Sequence, residues 1–199
     1  MAFDQLQASP GRKQRSLDHL PLTWRYAVRI ADDKELPELA ALAERHIPGI
    51  TNMCEPARRV HIHHRGSVLA VVRDERIVGG AAFLYLNSAG LAQLQSGTFS
   101  YGAPKEDVLT LPGEPAAAIY FWALCLPAVT IGAMGNVMRW LQRPLYRQAD
   151  IFARPGTIGG MRFMRDTGFV ARAFCTPDLW IYQRQLRSNF EYFSLETYQ

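Results

Sequence analysis

Hydrophobic and polar positions along this chain change period several times, and each change marks an element. Residues 26–30, Tyr-Ala-Val-Arg-Ile, alternate as a half-buried strand does. Asp32 or Asp33 then caps a helix whose apolar face is Leu36, Leu39, Ala40, Leu42 and Ala43, and Pro48-Gly49 ends it. Residues 50–65 read as a short helix and loop. Two apolar runs, 67–73 and 76–87, meet at Asp74-Glu75, and a two-residue polar connection between such runs predicts a hairpin. Gly79-Gly80 inside the second arm predicts a bulge or a close backbone approach. Residues 88–115 form a long excursion with a short helix at 91–94, and long loops in compact domains tend to carry function.

The next segment is the most informative. Residues 117–126 are apolar throughout, as a strand covered on both faces should be, and Pro127 closes the run. Ala-Val-Thr-Ile-Gly-Ala-Met-Gly (128–135) follows and leads into a helix at 136–141. Small residues let the backbone approach a ligand, and a turn that opens a helix aims unpaired N–H groups and the positive dipole end at it. That chemistry suits a phosphate. A further strand at 149–154 leads into a helix with Thr157 as N-cap, Gly168 as its stop and Phe169 as the anchor that returns the chain to the core. Strands at 171–175 and 179–186 close the pattern around Thr176-Pro177-Asp178.

This order resembles the GCN5-related N-acetyltransferase (GNAT) superfamily, in which a strand runs into R/Q-x-x-G-x-G/A and the N–H groups of that turn hold the pyrophosphate of acetyl-CoA. With Pro127 as the post-strand proline, Thr130 takes the Arg/Gln position, Ala133 the first glycine and Gly135 the second, with Gly132 extra. The family's following helix, N-x-x-A-x-x-L-Y-x-x-x-G-F, is matched in register by Thr157 through Phe169. Thr157 stands for the Asn, Gly160 for the Ala, Phe163 for the Leu and Met164 for the Tyr. The resemblance implies an α/β fold with a mixed central sheet of about 6–7 strands and helices on both faces. It also implies an acetyl-CoA or other acyl-CoA co-substrate held by Leu124, Leu126, Val129, Thr130, Ile131, Gly132, Ala133, Met134, Gly135 and Thr157.

The implied reaction is acyl transfer from the thioester to an amine of a small molecule or protein by direct attack. The amine must lose a proton, the carbonyl must be polarised, and the leaving thiolate benefits from a proton. The family polarises the carbonyl with a backbone N–H of its splayed central strand, which falls near residues 123–126. The central strand itself holds no acid, so the candidate bases are Glu114 just before it and Glu55 in the variable region, each with an ordinary surface acid as its default reading. Tyr120 could hold a water or a proton, with core packing as its default. Met164 removes the tyrosine that often protonates the thiolate. These departures leave two alternatives open: a non-catalytic or regulatory CoA-binding protein, and an enzyme of the same fold with another acceptor, such as a nucleic-acid base.

Composition narrows the field modestly. The 199 residues are 48% hydrophobic and 20% charged, as in globular domains. The expected organisation is a basic, flexible tail at 1–22, the acyltransferase-like domain at 23–187, and an aromatic tail at 188–199 that packs on its own domain or on a second subunit, leaving a homodimer open. A net charge of +4 mildly favours acidic partners, CoA phosphates or nucleic acid among them. Three scattered cysteines, no apolar run of membrane length and no signal-like N-terminus give the expectation of a cytoplasmic protein with no membrane partner. His61, His63 and His64 with Cys54 invite a metal reading. Their i, i+2, i+3 spacing cannot aim three ligands at one point on a helix, so no metal is expected and the histidines are read as exposed or helix-terminal.

Overall fold

A computed structural model describes residues 26–126, 132–171 and 178–184. The described strands form a seven-stranded mixed sheet, ordered β1-β2-β3-β4-β5-β7-β6. They are β1 (Ala27–Ile30), β2 (Val68–Arg73), β3 (Arg76–Leu86), β4 (Ala118–Cys125), β5 (Asp150–Ala153), β6 (Val170–Ala171) and β7 (Trp180–Tyr182). The helices are α1 (Leu36–His46), α2 (Cys54–His63), α3 (Ser88–Ser96), α4 (Met134–Trp140) and α5 (Ile158–Asp166). Only β4 and β5 pair in parallel. The expected α/β architecture is therefore present, and no described helix is long and apolar enough to cross a membrane.

Strict alternation along the central strands sorts the core into two layers. Phe83, Tyr85, Ile119, Phe121, Ile151 and Ala153 point to one face, where Met134, Val137 and Leu141 near α4 and Met164 of α5 cover them. Leu84, Leu86, Tyr120, Trp122 and Phe152 point to the other, under Val60 of α2 and Leu94 of α3. Leu36 and Leu39 of α1 pack on Val68 and Ala70 beside that second layer. Central strands with both faces buried carry continuous apolar runs, which is why 117–126 is so hydrophobic.

Local signals account for most boundaries. Asp74 and Glu75 both adopt positive φ, 49° and 63°, so a primed turn closes the β2–β3 hairpin without a glycine. A bulge displaces the β2–β3 register between Val71 and Val72, beside Gly79. A Cβ on Gly79 would lie 2.8 Å from the Cys125 carbonyl oxygen, so both expectations for the Gly-Gly pair hold. Asn87 accepts from the Gly90 N–H and starts α3 three residues earlier than the expected 91–94 helix. Thr157 caps α5 by accepting from the Gly160 N–H at 2.9 Å. Gly168, at φ 89°, ends the following turn, and Phe169 is buried against Phe121 and Tyr182.

Two readings need correction. Leu42 is half-buried on the edge of the α1 face rather than within the core. The histidines are helix-terminal, with His61 and His63 in the last turn of α2 and His64 just past it, but they are not exposed as a group: His61 is fully buried and His64 nearly so, while His63 Nε2 lies 3.0 Å from the Thr110 carbonyl oxygen. The apolar sides of α2 and of the turn after it bring the two rings inward. Strand 171–175 is described only at Ala171, and the two tails lie outside the described residues.

Candidate functional site

The site arises where β4 loses a neighbour. The parallel ladder with β5 runs from Ala118↔Asp150 to Phe121↔Ala153 and stops. β4 continues to Cys125 while the chain after Ala153 turns off through Arg154-Pro155-Gly156 into α5. At the same level the antiparallel register with β3 slips: Ala82 faces Ala123, Phe83 faces Phe121, and Trp122 is the extra residue of a bulge. A bulge bends its strand and sharpens its twist. The far half of β4 thus stays bonded to β3, and among the described residues no strand pairs with its other edge.

The result is a slot of about 380 Å³ between the two strands, within the usual size range of a small-molecule site. Phe121, Leu124, Leu126, Phe163 and Met164 line its α5 side, and His46, Ile47, Trp122, Ala123 and Arg154 line the side toward α1. Thr157, Gly159 and Gly160 form its floor at the start of α5. The slot is therefore lined from both faces of the sheet. A smaller apolar cavity of about 40 Å³ between α1, α2 and β3–β4 adjoins it through Trp122, Ala123 and Cys125.

The expected cofactor residues fall into three groups. Leu124, Leu126 and Thr157 line the slot, with the Thr157 hydroxyl engaged as a helix cap. Ala133 and Met134 are buried at the start of α4, so only their backbone could face a ligand, whereas Gly132 is half-buried and Gly135 exposed. Val129, Thr130 and Ile131 lie outside the described residues.

The expected catalytic residues do not gather at the slot. Glu114 sits before the opposite end of β4, exposed, and its carboxylate accepts from the Leu111 N–H of its own turn. Glu55, in the first turn of α2, is exposed and paired with Arg58 at 3.2 Å. Tyr120 is buried beneath Phe99 and Tyr101, and desolvation there drives its pKa well above the ordinary phenol value. Its ring belongs to the core layer beneath α2 and α3.

Two residues that the sequence reading did not single out take their place. His46 ends α1 and Arg154 follows β5, and both are exposed at the slot. Among the described lining residues the only other titratable group is Cys125, whose thiol reaches the Leu42 carbonyl oxygen at 3.6 Å and is pushed up in pKa by burial. Among the described residues no aspartate or glutamate lines the slot. Nothing local in the sequence marks His46 or Arg154, since each owes its place to how separate elements pack. Among the described residues no group of three or more His, Cys, Asp or Glu is gathered as a metal site.

A scan against protein-family models finds no match, and a search of curated proteins finds none. Solved structures do match. The loading GNATL domain of CurA from Lyngbya majuscula superposes with a TM-score of 0.57 at 14% identity, over 81% of this chain and 99% of that one. The spermidine/spermine N-acetyltransferase SpeG from Vibrio cholerae does so with a TM-score of 0.50 at 9% identity, over 84% and 99%. Identities this low speak for architecture alone, and together with the mixed sheet and the split between β4 and β5 they show that this chain has a divergent GNAT fold.

Proposed function

We propose that this protein is an acyl-CoA-dependent N-acyltransferase, and the slot between β4 and β5 is the observation that carries the reading. A pantetheine arm is a thin amide-bearing chain, and the unpaired edge of β4 offers it strand-like hydrogen bonds near Leu124 and Leu126. The diphosphate would lie at the start of α4, on the backbone of Gly132 to Gly135, together with Val129, Thr130 and Ile131. The thioester carbonyl would accept from a free N–H of residues 123–126. The adjoining apolar cavity of about 40 Å³ suits a short acyl chain.

Because residues of both sheet faces line the slot, donor and acceptor would approach from opposite sides and meet at the bulge. On the α1 side His46 is the one described lining residue with an imidazole nitrogen that can take a proton from an attacking amine, and we assign it the role of general base. The amine then attacks the carbonyl carbon, the tetrahedral intermediate collapses, and CoA leaves as thiolate. Met164, buried on the opposite wall, cannot donate a proton, so solvent supplies it. The acceptor is an amine of a small molecule or protein. A non-catalytic CoA-binding protein is the second reading, favoured by the slot's lack of a carboxylate and by Met164.

Calorimetry with CoA, followed by acetyl-CoA turnover over an amine panel, tests both. A side chain at Gly159 meets only Thr157 Oγ1, at 3.9 Å, so Gly159→Trp should fold and fill the slot. It should weaken CoA at least tenfold, and His46→Gln should keep CoA affinity while turnover falls roughly 10²–10⁴-fold. Equal CoA affinity in Gly159→Trp and the parent contradicts the site. CoA binding without transfer to any amine gives the lead to the binding-protein reading.

A further inference from the structure

The α1-side mouth of the slot carries a charge that the acyl transfer does not require. Arg154 leaves β5 one residue past the last ladder pair, Phe121↔Ala153, so it stands where the slot begins to open. Its guanidinium carbon lies 4.9 Å from the centre of the Tyr101 ring. Tyr101 is fixed in turn, since its carbonyl oxygen accepts from the Trp122 indole N–H at 2.7 Å and its ring packs 5.2 Å from that of Tyr120. The residue that makes the bulge thereby fixes the aromatic plane under Arg154. Stacking on such a plane leaves the guanidinium's in-plane donors free and limits where they can point.

No described carboxylate compensates that cation. Among the described residues no carboxylate lies within ion-pair distance of Arg154, and no acid lines the slot. A buried hydroxyl beside it, that of Tyr101, has no hydrogen-bond partner among the described residues. Arg154 also sits on the Tyr101–Tyr120 face, which α2 and α3 cover, whereas α4 lies on the opposite face. The diphosphate expected at α4 is therefore across the sheet from this arginine.

We infer that Arg154 anchors a carboxylate on the acyl acceptor, so that this protein acts on amines that also carry an anionic group, such as amino acids or peptides with a free C-terminus. This rests on the transferase reading. Planar, two-pronged pairing with a carboxylate is what a guanidinium held this way does best, and it fixes orientation as well as affinity. A polycation such as spermidine would meet Arg154 and His46 with no acid among the described lining residues to receive it. Selectivity of this protein would thus come as much from repelling the wrong amine as from holding the right one.

Glycylglycine and glycylglycinamide separate the idea from its rivals, since their amines are alike and only one ends in a carboxylate. With acetyl-CoA as donor, the parent should show a lower KM for glycylglycine. Arg154→Gln should raise that KM roughly 10–100-fold and leave the KM for glycylglycinamide and the Kd for CoA unchanged. Arg154→Lys, which keeps the charge and loses the planar fork, should fall between. Equal KM values for the two peptides in the parent overturn the inference. So does an Arg154→Gln protein that loses CoA affinity with the peptide ratio intact, because the arginine then serves the cofactor's phosphates. A parent that binds CoA yet acetylates no carboxylate-bearing amine overturns the inference alone, whereas a parent that binds no CoA removes the transferase reading beneath it.

Discussion

The two halves of β4 have nearly the same chemistry and opposite fates. Ala118, Ile119, Tyr120 and Phe121 are paired on both edges, to β3 and β5, and all are buried. Past the bulge at Trp122 the strand is still apolar, but β3 is the one described strand paired with it, and Ala123, Leu124 and Leu126 are half-buried along a slot. The closed half is core and the open half lines the slot. One strand serves both because parallel pairing can stop at a single residue while antiparallel pairing on the other edge continues. The difference teaches that a binding edge need not be polar, since the backbone supplies the polarity once a neighbour is withdrawn.

Removing a prop of the closed half should have the largest effect. Phe169 packs against Phe121, with ring centres 6.4 Å apart, and is 5% exposed. Phe169→Ala should cost about 3–5 kcal/mol through lost transfer energy and the cavity left behind. Denaturant unfolding measures it, and an unchanged midpoint would mean that the Phe169 ring is not the anchor described.

A smaller effect is expected where the open half is held from behind. A methyl on Gly79 would meet the Cys125 carbonyl oxygen at 2.8 Å, and backbone cannot swing aside as a side chain can. Gly79→Ala should therefore destabilise by about 1–3 kcal/mol and displace the far end of β4, changing CoA affinity as well. The same change at a closed position would alter stability without altering binding. If Gly79→Ala leaves both untouched, the open half is softer than its ladder to β3 suggests.

The mildest test concerns pH and contrasts the slot's exposed His46 with the core's histidines. His64 Nδ1 accepts from the Gly66 N–H at 3.2 Å, so its proton sits on Nε2, which faces the Tyr146 hydroxyl at 3.2 Å. Burial lowers the pKa of His64 and of His61 from the ordinary 6.5, with Arg65 adding to the effect at His61 and Asp33 opposing it. A depressed folded-state value means that the unfolded chain binds more protons in the window below 6.5. Stability from these neutral rings is therefore complete above that pH and is lost as pH falls through it. Tm should drop on acidification below about pH 6.5, and His64→Asn, which keeps an acceptor toward Gly66 but does not titrate, should flatten part of the slope. A parent whose Tm is level down to pH 5 would show that these rings are not held neutral.

Much of the fold could be read from the chain because its signals are local. The Thr157 cap, the Gly168 stop, the Asp74-Glu75 turn and the apolar run of β4 each act within a few residues, and each element stands within a few positions of where the pattern put it. The site was legible only on one wall. Leu124, Leu126 and Thr157 follow from position along one strand and its successor helix, and they do line the slot. The other wall was not. Glu55 and Glu114 had the right chemistry in the right neighbourhood of the sequence, yet one faces solvent from α2 and the other lies beyond the wrong end of β4.

What the sequence determined by itself, then, was the succession of strands, turns and caps, because propensity, periodicity and capping are settled by neighbours along the chain. The tertiary structure alone decided where β4 parts from β5, since Phe121 and Trp122 are equally apolar and only the register with two other strands tells them apart. It also decided that His46 and Arg154, 108 positions apart by number (154 − 46), share one slot. Side chains that meet through packing of separate elements leave no period and no spacing in the chain that brings them together.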